Sequence, residues 1–551
     1  MTDATTPLTK TKHDGARALS WGAILVACLC ALPMLAVLLA AVSGGTDTVQ
    51  HLVETVLEGY LRTTALLVLL VATGTFSIGV GAAWLVTMTR FPGVRFFEIA
   101  LVLPLAFPAY VLAYAYTHIL DHPGIVQTTL RGVMGWGPRD YWFPEIRSLG
   151  GAAAMLVLVL YPYVYLLARA AFLQQSGTTF LAARALGSSP WIAFFRVSLP
   201  LARPAIAGGV LLAVMETIAD FGTVAYFGVQ TFATGIYTSW FSMFDRAGAA
   251  QLALCLLSFA LLLAMLERWQ RGNARYHDPA RQTQVAARLE LRGWSRWMAT
   301  LLCAVPVVFG AVLPIFVLFS MGLGSEQNLL SSRYLAFIQN SAVLAAIAAM
   351  VTVLAAITVG FYQRMRVGRV SRTAAYVARL GYAVPGGVIA VGLMVPFAAF
   401  DNALDAWMRA TFDVSTGLLI TGSIWLLIIA YMVRFLAAAL GAYEGGQAMV
   451  HMNMDAASRS LGEGPMGTLR RVHLPILTPS LLTALLIVFV DVMKELPATL
   501  IMRPFNFDTL AVQAYRLASD ERLEGAAVPS LVIVAMGLLP VILICRQVGR
   551  R

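Results

Sequence analysis

Runs of about twenty apolar residues recur along the whole chain, and a helix of that length is long enough to cross the hydrocarbon core of a membrane. Charged residues make up only 12% of the sequence, whereas soluble domains contain about 25%. The first run, 21–42, is longer than the roughly 7–15 apolar residues of a signal-peptide core, so we expect it to be retained as a helix. The sequence therefore predicts a membrane protein with many spans.

Twelve apolar runs are long enough to span a membrane, which predicts an all-α polytopic fold with 12 transmembrane helices. They lie at residues 21–42, 61–86, 97–119, 149–172, 204–226, 249–267, 297–322, 340–362, 376–400, 415–440, 478–500 and 527–545. The loops between them alternate in charge: loop 363–375 has four arginines and no acid, whereas loop 43–60 has three acids and no lysine or arginine. Because basic residues concentrate in cytoplasmic loops, we expect both termini, including the tail 1–20, to be cytoplasmic. The net charge of +11 then reflects topology in a lipid membrane, and no nucleic-acid partner is expected.

A segment in the first part of the chain repeats 275 residues later. Residues 181–204 align with 456–479, and the identical positions include seven landmarks: Gly187 with Gly462, Pro190 with Pro465, Arg196 with Arg471, Val197 with Val472, Leu199 with Leu474, Pro200 with Pro475 and Pro204 with Pro479. The repeat predicts two homologous six-helix halves, 21–267 and 297–551, joined by the arginine-rich cytoplasmic linker 268–296.

Each copy of the repeat has the pattern of a docking element. A short helix is expected to stop at Gly187 or Gly462, because glycine accepts the left-handed conformation common at helix ends. A second amphipathic stretch follows and ends in Leu-Pro-x-x-x-Pro, where the prolines start the next span. An interfacial helix pair without a partner would show the same features, but two copies in register on the cytoplasmic side favour docking.

The pattern Ala-Ala-x-x-x-Gly followed by Leu-Pro-x-x-x-Pro resembles the EAA loop of binding-protein-dependent ABC transporter permeases, the type I importer class. In that family the loop forms coupling helices that sit in a cleft of each ATPase subunit. The resemblance implies ATPase-coupling roles for Ala182, Ala183, Gly187, Pro200, Ala457, Gly462 and Pro475. Leu181 and Ala456 stand where the family usually has glutamate, and Asp455 lies one residue early in the second copy, so a salt bridge from that position is not expected.

Two pairs of carboxylates lie within apolar spans at the same 275-residue offset, namely Glu216 with Asp220 and Asp491 with Glu495. Each pair is spaced i, i+4, which places both side chains on one helical face. An ionisable residue near the bilayer centre costs roughly 2.5–3.5 kcal/mol. In the sequence, only Lys494 is a nearby countercharge for the four carboxylates. We expect these four residues to line the substrate pathway. The alternative is internal pairing, with Lys494 neutralising Asp491 or Glu495 and Glu216 protonated.

Carboxylates, together with Tyr161, Tyr163, Tyr226 and Tyr431 on nearby spans, are hard oxygen ligands that suit hard cations. For any single one of these tyrosines, an anchor at the membrane interface is the favoured interpretation. Segments 216–241 and 491–511 resemble the ferric-iron uptake permeases of this ABC class, which implies Fe³⁺ as the transported substrate. Whether a metal is ever stably bound in the chain is left open.

No G-x-x-x-x-G-K-[ST] loop occurs in the sequence, so the chain is not expected to be an enzyme or to carry a cofactor. The resemblance implies a homodimer of ATP-binding subunits that binds ATP and Mg²⁺ at the cytoplasmic face. It also implies a periplasmic iron-binding protein that docks on outer loops, including 120–148 and 501–526, and a location in the bacterial inner membrane. Thiamine or a polyamine remains an alternative substrate, and an ion-coupled secondary carrier an alternative class, although a carrier has no use for the duplicated docking loop. A membrane enzyme would need a clustered set of catalytic side chains that the sequence lacks.

Overall fold

The computed structural model describes residues 10–174, 185–271, 289–325, 327, 331–366 and 368–549. Within these ranges, eleven helices are long and apolar enough to cross a membrane, and one further pair of helices, bent by 93°, brings the number to twelve. The predicted all-α polytopic fold is therefore confirmed, with 11 or 12 candidate spans where 12 were predicted. One small exception is a two-residue parallel bridge between strands Thr89–Arg90 and Leu289–Glu290.

Prolines change two of the predicted spans, one by bending it and one by moving its start. The predicted span 97–119 is two helical segments, Val94–Ala106 and Ala109–Met134, that meet at the 93° bend. Pro108 breaks the helix there because it has no N–H to donate and forces the preceding residue into an extended conformation. Pro385 is extended in the same way, so the ninth span begins at Gly386 and not at residue 376.

The chain forms two compact units, and neither is a continuous piece of sequence. The first unit comprises Met1–Thr48, Ser239–Leu257 and Ser332–Thr509. In it, the helix Ser332–Met365 packs against Ile424–Gln447 and Leu474–Met493, and the N-terminal helix packs against Gly386–Phe412. The helices that lie wholly in this unit are Lys10–Ser43, Ser332–Met365, Arg369–Leu380, Gly381–Ala383, Gly386–Phe412, Ile424–Gln447, Met452–Ser460, Pro465–Thr468, Leu469–His473, Leu474–Met493 and Pro497–Met502.

The second unit comprises Val49–Thr238, Ser258–Ser331 and Leu510–Arg551. In it, Leu57–Met88 packs along Leu149–Gln174. Its helices are Leu57–Met88, Val94–Ala100, Leu103–Ala106, Ala109–Leu120, Ile125–Met134, Leu149–Gln174, Pro190–Ala193, Phe194–Ser198, Leu199–Ala219, Gly222–Tyr226, Trp294–Val307, Val308–Val312, Leu313–Gly324, Leu510–Ser519 and Leu523–Gly549. Three more helices, Thr46–Thr55, Phe232–Phe241 and Arg246–Arg271, run across unit boundaries.

The compact units do not follow the order of the chain. The first unit combines the N-terminal helix with spans from the second part of the sequence, and the second unit combines 294–324 with spans from the first part. The division into the halves 21–267 and 297–551 therefore remains a prediction that is based on the sequence repeat. Most of the linker 268–296, namely 272–288, lies outside the described residues.

The sequence repeat is also a repeat of backbone irregularities. A π-helical turn occurs at Phe194–Ser198 and again at Leu469–His473, at the 275-residue offset found in the sequence. Gly187 and Gly462 both have left-handed backbones, with φ of 86° and 87°, which glycine adopts without steric cost. π-Helical turns are rare and tend to mark functional sites, so their duplication makes an accidental sequence match untenable.

Candidate functional site

The first carboxylate pair lies where a span of the second unit breaks. The helix Leu199–Ala219 ends at Asp220, and a short helix, Gly222–Tyr226, follows. Asp220 Oδ1 accepts hydrogen bonds from the backbone N–H groups of Thr223 (3.0 Å) and Val224 (3.2 Å), and Oδ2 accepts one from the Thr223 hydroxyl (3.0 Å). Asp220 thus satisfies N–H groups that the start of a helix leaves without partners.

Glu216 lies one helical turn before Asp220 on the same helix and is half-buried. The two carboxylates are close enough to repel each other, which agrees with the predicted shared face. This face therefore places two carboxyl groups in a segment where charge is costly.

The second pair lies at the equivalent break in the first unit. The helix Leu474–Met493 ends at Lys494, and the helix Pro497–Met502 follows. Glu495 Oε1 accepts from the N–H of Ala498 (2.9 Å), and Oε2 accepts from the N–H (3.1 Å) and hydroxyl (2.7 Å) of Thr499. Glu495 is therefore the counterpart of Asp220 in structure as well as in sequence.

The carboxylates of the second pair both have cationic partners. Asp491 Oδ1 lies 2.9 Å from Lys494 Nζ. This salt bridge is the internal pairing that the sequence analysis gave as an alternative to a pathway role. Glu495 Oε1 accepts a hydrogen bond from Arg434 Nη1 at 3.3 Å, and both side chains are almost fully buried. The expectation that Lys494 is the nearby countercharge was incomplete, because Arg434 was missed. An arginine in the middle of the apolar run 415–440 was the signal that could have revealed it.

The predicted tyrosines take different roles. The Tyr431 hydroxyl is 2.6 Å from Thr499 Oγ1 and so supports the Glu495 cap. Tyr161 is fully buried in the core of the second unit, which argues against an anchor at the membrane interface. Tyr163 is half-buried, and the ring of Tyr226 lies 5.1 Å below the Arg147 guanidinium. Within the described ranges, no group of three or more His, Cys, Asp or Glu side chains could hold a metal ion.

The second copy of the repeated loop is fastened by a buried charged cluster, which we call the Asp455 triad: Arg364, Asp455 and His473. Asp455 Oδ2 accepts from Arg364 Nε at 2.7 Å, and Oδ1 lies 2.6 Å from His473 Nε2. Arg364 also donates to the carbonyl groups of Gln447 (3.2 Å) and Val450 (2.7 Å). The triad joins the short helix Met452–Ser460 to two spans of its own unit.

Asp455, one residue before the position at which a salt bridge was not expected, forms a salt bridge with Arg364 within the chain itself. Burial alone would raise the pKa of Asp455, but the hydrogen bonds from His473 and Arg364 outweigh it and hold the pKa below the ordinary value of 3.8. Asp455 is therefore ionised at neutral pH.

Part of the first loop copy can be compared with the second. Ala182 and Ala183 lie outside the described residues. Gly187 has the left-handed conformation expected at a helix end, and Pro200 lies at the start of Leu199–Ala219. In the second copy Ala457 lies on the helix Met452–Ser460, Gly462 ends it, and Pro475 begins the next span.

A cavity of about 520 Å³ lies in the second unit beside the chain segment that follows Ala109–Leu120. It is lined by Thr117, His118, Asp121, Pro123, Gly124, Arg147, Gly324, Ser325, Gln327 and residues 521–525. Arg147 donates to Asp121 Oδ2 (3.0 Å) and, through both terminal nitrogens, to Glu521 (2.7 and 2.8 Å). This clamp ties residue 521, whose φ is a rare positive 58°, to a loop from the first part of the chain.

Comparison with known proteins supports the resemblance seen in the motifs. Residues 75–275 match the family model described as "Binding-protein-dependent transport system inner membrane component". The chain is 27% identical over 535 residues to the Fe(3+)-transport system permease protein FbpB 2 of Haemophilus influenzae, covering 95% of this chain and 96% of that protein.

Two further relatives match less of their own length or of this chain. The ferric transport system permease protein FbpB of Actinobacillus pleuropneumoniae is 25% identical over 456 residues, which is 79% of this chain and 63% of that protein. The molybdenum transport system permease protein ModB of Escherichia coli is 28% identical over 200 residues, which is 35% of this chain and 83% of that protein. The resemblance to binding-protein-dependent transport permeases is thereby confirmed, and the similarity to ferric transport permeases extends over nearly the whole chain.

Proposed function

We propose that this chain is the membrane-spanning permease subunit of an ATP-driven importer that moves ferric iron delivered by a periplasmic binding protein. The observation that carries the proposal is similarity to a ferric transport permease over 95% of the chain. The duplicated loop, with its left-handed glycine and π-helical turn in each copy, supports the same class.

The energy source in this proposal is a separate pair of identical ATP-binding subunits at the cytoplasmic face, which bind ATP and Mg²⁺. Each subunit receives one loop copy, so Ala182, Ala183, Gly187 and Pro200 contact one and Ala457, Gly462 and Pro475 contact the other. The Asp455 triad supports this role, because a docking element that transmits force needs a firm connection to its own spans.

The proposed orientation has both termini in the cytoplasm of a bacterium and the chain in its inner membrane. The arginines of loop 363–375 and of the linker support it, since cytoplasmic loops are rich in basic residues. The cavity beside Arg147 then faces the periplasm, next to the loops 120–148 and 501–526 that we propose for docking of the binding protein.

The substrate pathway in this proposal runs past the two broken spans, with Glu216, Asp220, Asp491 and Glu495 along it. Both breaks end a helix next to a carboxylate and restart it within a few residues. Broken helices at membrane depth occur where backbone lines a cavity or is buried in protein, which supports their use as part of a pathway.

The test is ATP hydrolysis by the chain reconstituted in nanodiscs with its ATP-binding subunit. We expect stimulation by the iron-loaded binding protein and not by the same protein without iron. A Gly462→Val variant should lose the stimulation, because valine does not adopt φ of 87° without strain. Stimulation by a differently loaded binding protein would retain the class and discard iron, and failure to bind any ATP-binding subunit would favour an ion-coupled carrier.

A further inference from the structure

A short helix with a basic outer face, Arg369–Leu380, connects two membrane spans of the first unit. The span before it ends at Met365, and the span after it begins at Gly386. With 12 residues the helix is about 18 Å long, which is too short to cross a hydrocarbon core of about 30 Å. The helix therefore stays at the membrane surface at which the first of these spans ends and the second begins.

Two polar contacts place this connection at the level where spans end. Arg364, just before the connection, donates to the carbonyl group of Gln447 (3.2 Å), the last residue of the span Ile424–Gln447. Arg379, in the last turn of the short helix, pairs with Glu444 in the last turn of the same span. The headgroups of a bilayer begin where the apolar part of a span ends, so the helix lies at headgroup depth.

The short helix has one face of small residues and one basic face. It packs against the helices Lys10–Ser43, Ser332–Met365 and Ile424–Gln447. Its buried residues, spaced as one side of a helix, are Ser371, Ala374, Ala375 and Ala378. Arg369, Arg372 and Tyr376 are exposed and lie on the other side, at positions i, i+3 and i+7. The small side faces the protein, and the basic side faces away from it.

Three guanidinium groups on or just before this outer face have no acidic partner. In the described part of the chain, Arg366, Arg369 and Arg372 form no ion pair, whereas Arg379 does. The loop 363–375 also contains no aspartate or glutamate. Like charges on neighbouring turns of a helix repel each other, so an anion from outside the chain is the favourable neighbour for this surface.

Apolar side chains among the arginines indicate which kind of anion fits. Val370 is 57% exposed and Tyr376 is 50% exposed, and tyrosine is enriched where a membrane meets water. Guanidinium groups bind phosphate groups through paired hydrogen bonds. A phospholipid offers a phosphate group to the arginines and acyl carbon atoms to the apolar side chains, whereas a phosphate ion in solution offers only the charge.

We propose that Arg366, Arg369 and Arg372, together with Val370 and Tyr376, form a binding surface for the headgroups of anionic phospholipids, which we call the arginine patch. Clusters of basic residues next to a span attract anionic lipid in this way. Binding by the patch does not depend on what the chain transports. Only its assignment to the cytoplasmic leaflet rests on the orientation given in the proposed function.

The arginine patch is joined to the segment that fixes the second docking loop. The Ser371 hydroxyl donates to the carbonyl groups of Arg366 and Gly368, which ties the start of the short helix to the residues that follow Arg364 of the Asp455 triad. Lipid bound at the patch therefore lies beside the connection between the triad and its span.

The experiment measures how lipid raises the unfolding temperature of the full-length chain in an uncharged detergent. The chain is titrated with phosphatidylglycerol, which is anionic, or with phosphatidylcholine, which has no net charge. We expect phosphatidylglycerol to act on the wild type at the lower concentration. The glutamine variant Arg366→Gln/Arg369→Gln/Arg372→Gln should need at least about tenfold more phosphatidylglycerol for half of the maximal shift, because each arginine near an anionic surface strengthens attachment by about fivefold.

Two control variants separate the patch from net charge and from general damage. Arg366→Lys/Arg369→Lys/Arg372→Lys keeps the charge at the patch and should keep the response to phosphatidylglycerol within about threefold of the wild type. Arg139→Gln/Arg333→Gln/Arg522→Gln removes three exposed arginines elsewhere and should also keep it. An equal loss in this last variant and in the glutamine variant would overturn the proposal, because net charge alone would then explain the response.

Two other occupants of the surface give different results. Inorganic phosphate at matched ionic strength should not raise the unfolding temperature, and a shift as large as that with phosphatidylglycerol would overturn the assignment to lipid. The ATP-binding subunit should copurify equally with the wild type and the glutamine variant. Its loss from the glutamine variant, with an unchanged response to phosphatidylglycerol, would assign the surface to that subunit and overturn the proposal.

Failure of this proposal is distinguishable from failure of the proposed function. Equal phosphatidylglycerol titrations for the wild type and the glutamine variant remove the arginine patch, even where ATP hydrolysis in nanodiscs is stimulated by iron-loaded binding protein. A weaker response of the glutamine variant to phosphatidylglycerol supports the patch, even where iron-loaded binding protein does not stimulate ATP hydrolysis and the proposed function fails.

Discussion

Asp220 and Glu495 accept hydrogen bonds from backbone N–H groups three and four residues further along, at two helix breaks that are 275 residues apart. The shared geometry gives both carboxylates a structural role as helix caps, which the sequence analysis did not include. The difference is the guanidinium of Arg434, which completes the environment of Glu495 alone. At the position equivalent to Arg434, 275 residues earlier, the first copy has Val159.

The Arg434–Glu495 pair should be costly to break from either side. We expect Arg434→Met and Glu495→Gln each to destabilise the chain by about 3–5 kcal/mol, because each leaves a buried charge without its partner. The double variant Arg434→Met/Glu495→Gln should recover a large part of that loss. Thermal and denaturant unfolding in one detergent would measure the double-mutant cycle, and additive single losses would show that the two groups are not coupled.

The Asp455 triad should hold the second docking loop in place. Asp455→Ala leaves Arg364 and the buried His473 without their shared acceptor, so we expect a loss of about 3–5 kcal/mol in unfolding free energy. We also expect weaker stimulation of ATP hydrolysis by loaded binding protein, because the loop is no longer fixed to the span Ser332–Met365. Glu290→Ala, which removes only an exposed surface ion pair with Arg90, is the control and should leave both properties nearly unchanged.

A replacement of the whole triad separates stability from coupling. At the 275-residue offset, the first copy has Thr89, Phe180 and Ser198 where the second has Arg364, Asp455 and His473. The triple variant Arg364→Thr/Asp455→Phe/His473→Ser removes every charge of the triad at once. Less unfolding free energy should therefore be lost than with Asp455→Ala. If the triple variant is stable but still poorly stimulated, the triad serves coupling; full stimulation would assign it to stability alone.

The stabilisation that the Arg147–Glu521 clamp gives to the folded chain should change with pH only under acidic conditions. The two hydrogen bonds from Arg147 hold the pKa of Glu521 below its ordinary value of 4.5, and burial opposes this shift without cancelling it. A depressed pKa means that the stabilisation is fully present above pH 4.5 and is lost as the pH falls through the folded-state value. The difference in unfolding temperature between wild type and Glu521→Gln should therefore stay constant at neutral pH and shrink in acid. A difference that changes near neutral pH would contradict this assignment.

Much of the architecture could be predicted from the sequence because it depends on local patterns. Apolar runs located the spans, and the identities around Gly187 and Gly462 located a repeat in which these two glycines have φ of 86° and 87°. The bends were harder to locate. Pro108 divides one apolar run into two helices, and hydropathy alone does not distinguish a bent pair from a straight span.

The partners of the buried charges could not be predicted, because they join distant parts of the chain. Asp455 bonds to Arg364, 91 residues away, and Glu495 to Arg434, 61 residues away. A pattern within one segment cannot reveal such pairs. A list of every charged residue inside the apolar runs, Arg434 included, would have indicated that the second carboxylate pair is neutralised.

Gly386 offers a test of how closely Arg434 and Glu495 are packed. A methyl group on Gly386 would overlap Arg434 Nη1 and would lie 2.9 Å from Glu495 Oε1. Gly386→Ala should therefore destabilise the chain by about 1–3 kcal/mol, as overpacking does elsewhere. Gly441→Ala is the matched control on the helix that carries Arg434, where a methyl group would meet no atom within 4 Å, and it should stabilise by about 0.5–1 kcal/mol through helix propensity. Because Arg434→Met removes the overlapping guanidinium, Gly386→Ala should cost less in that background, and an unchanged cost would show that the overlap is not with Arg434.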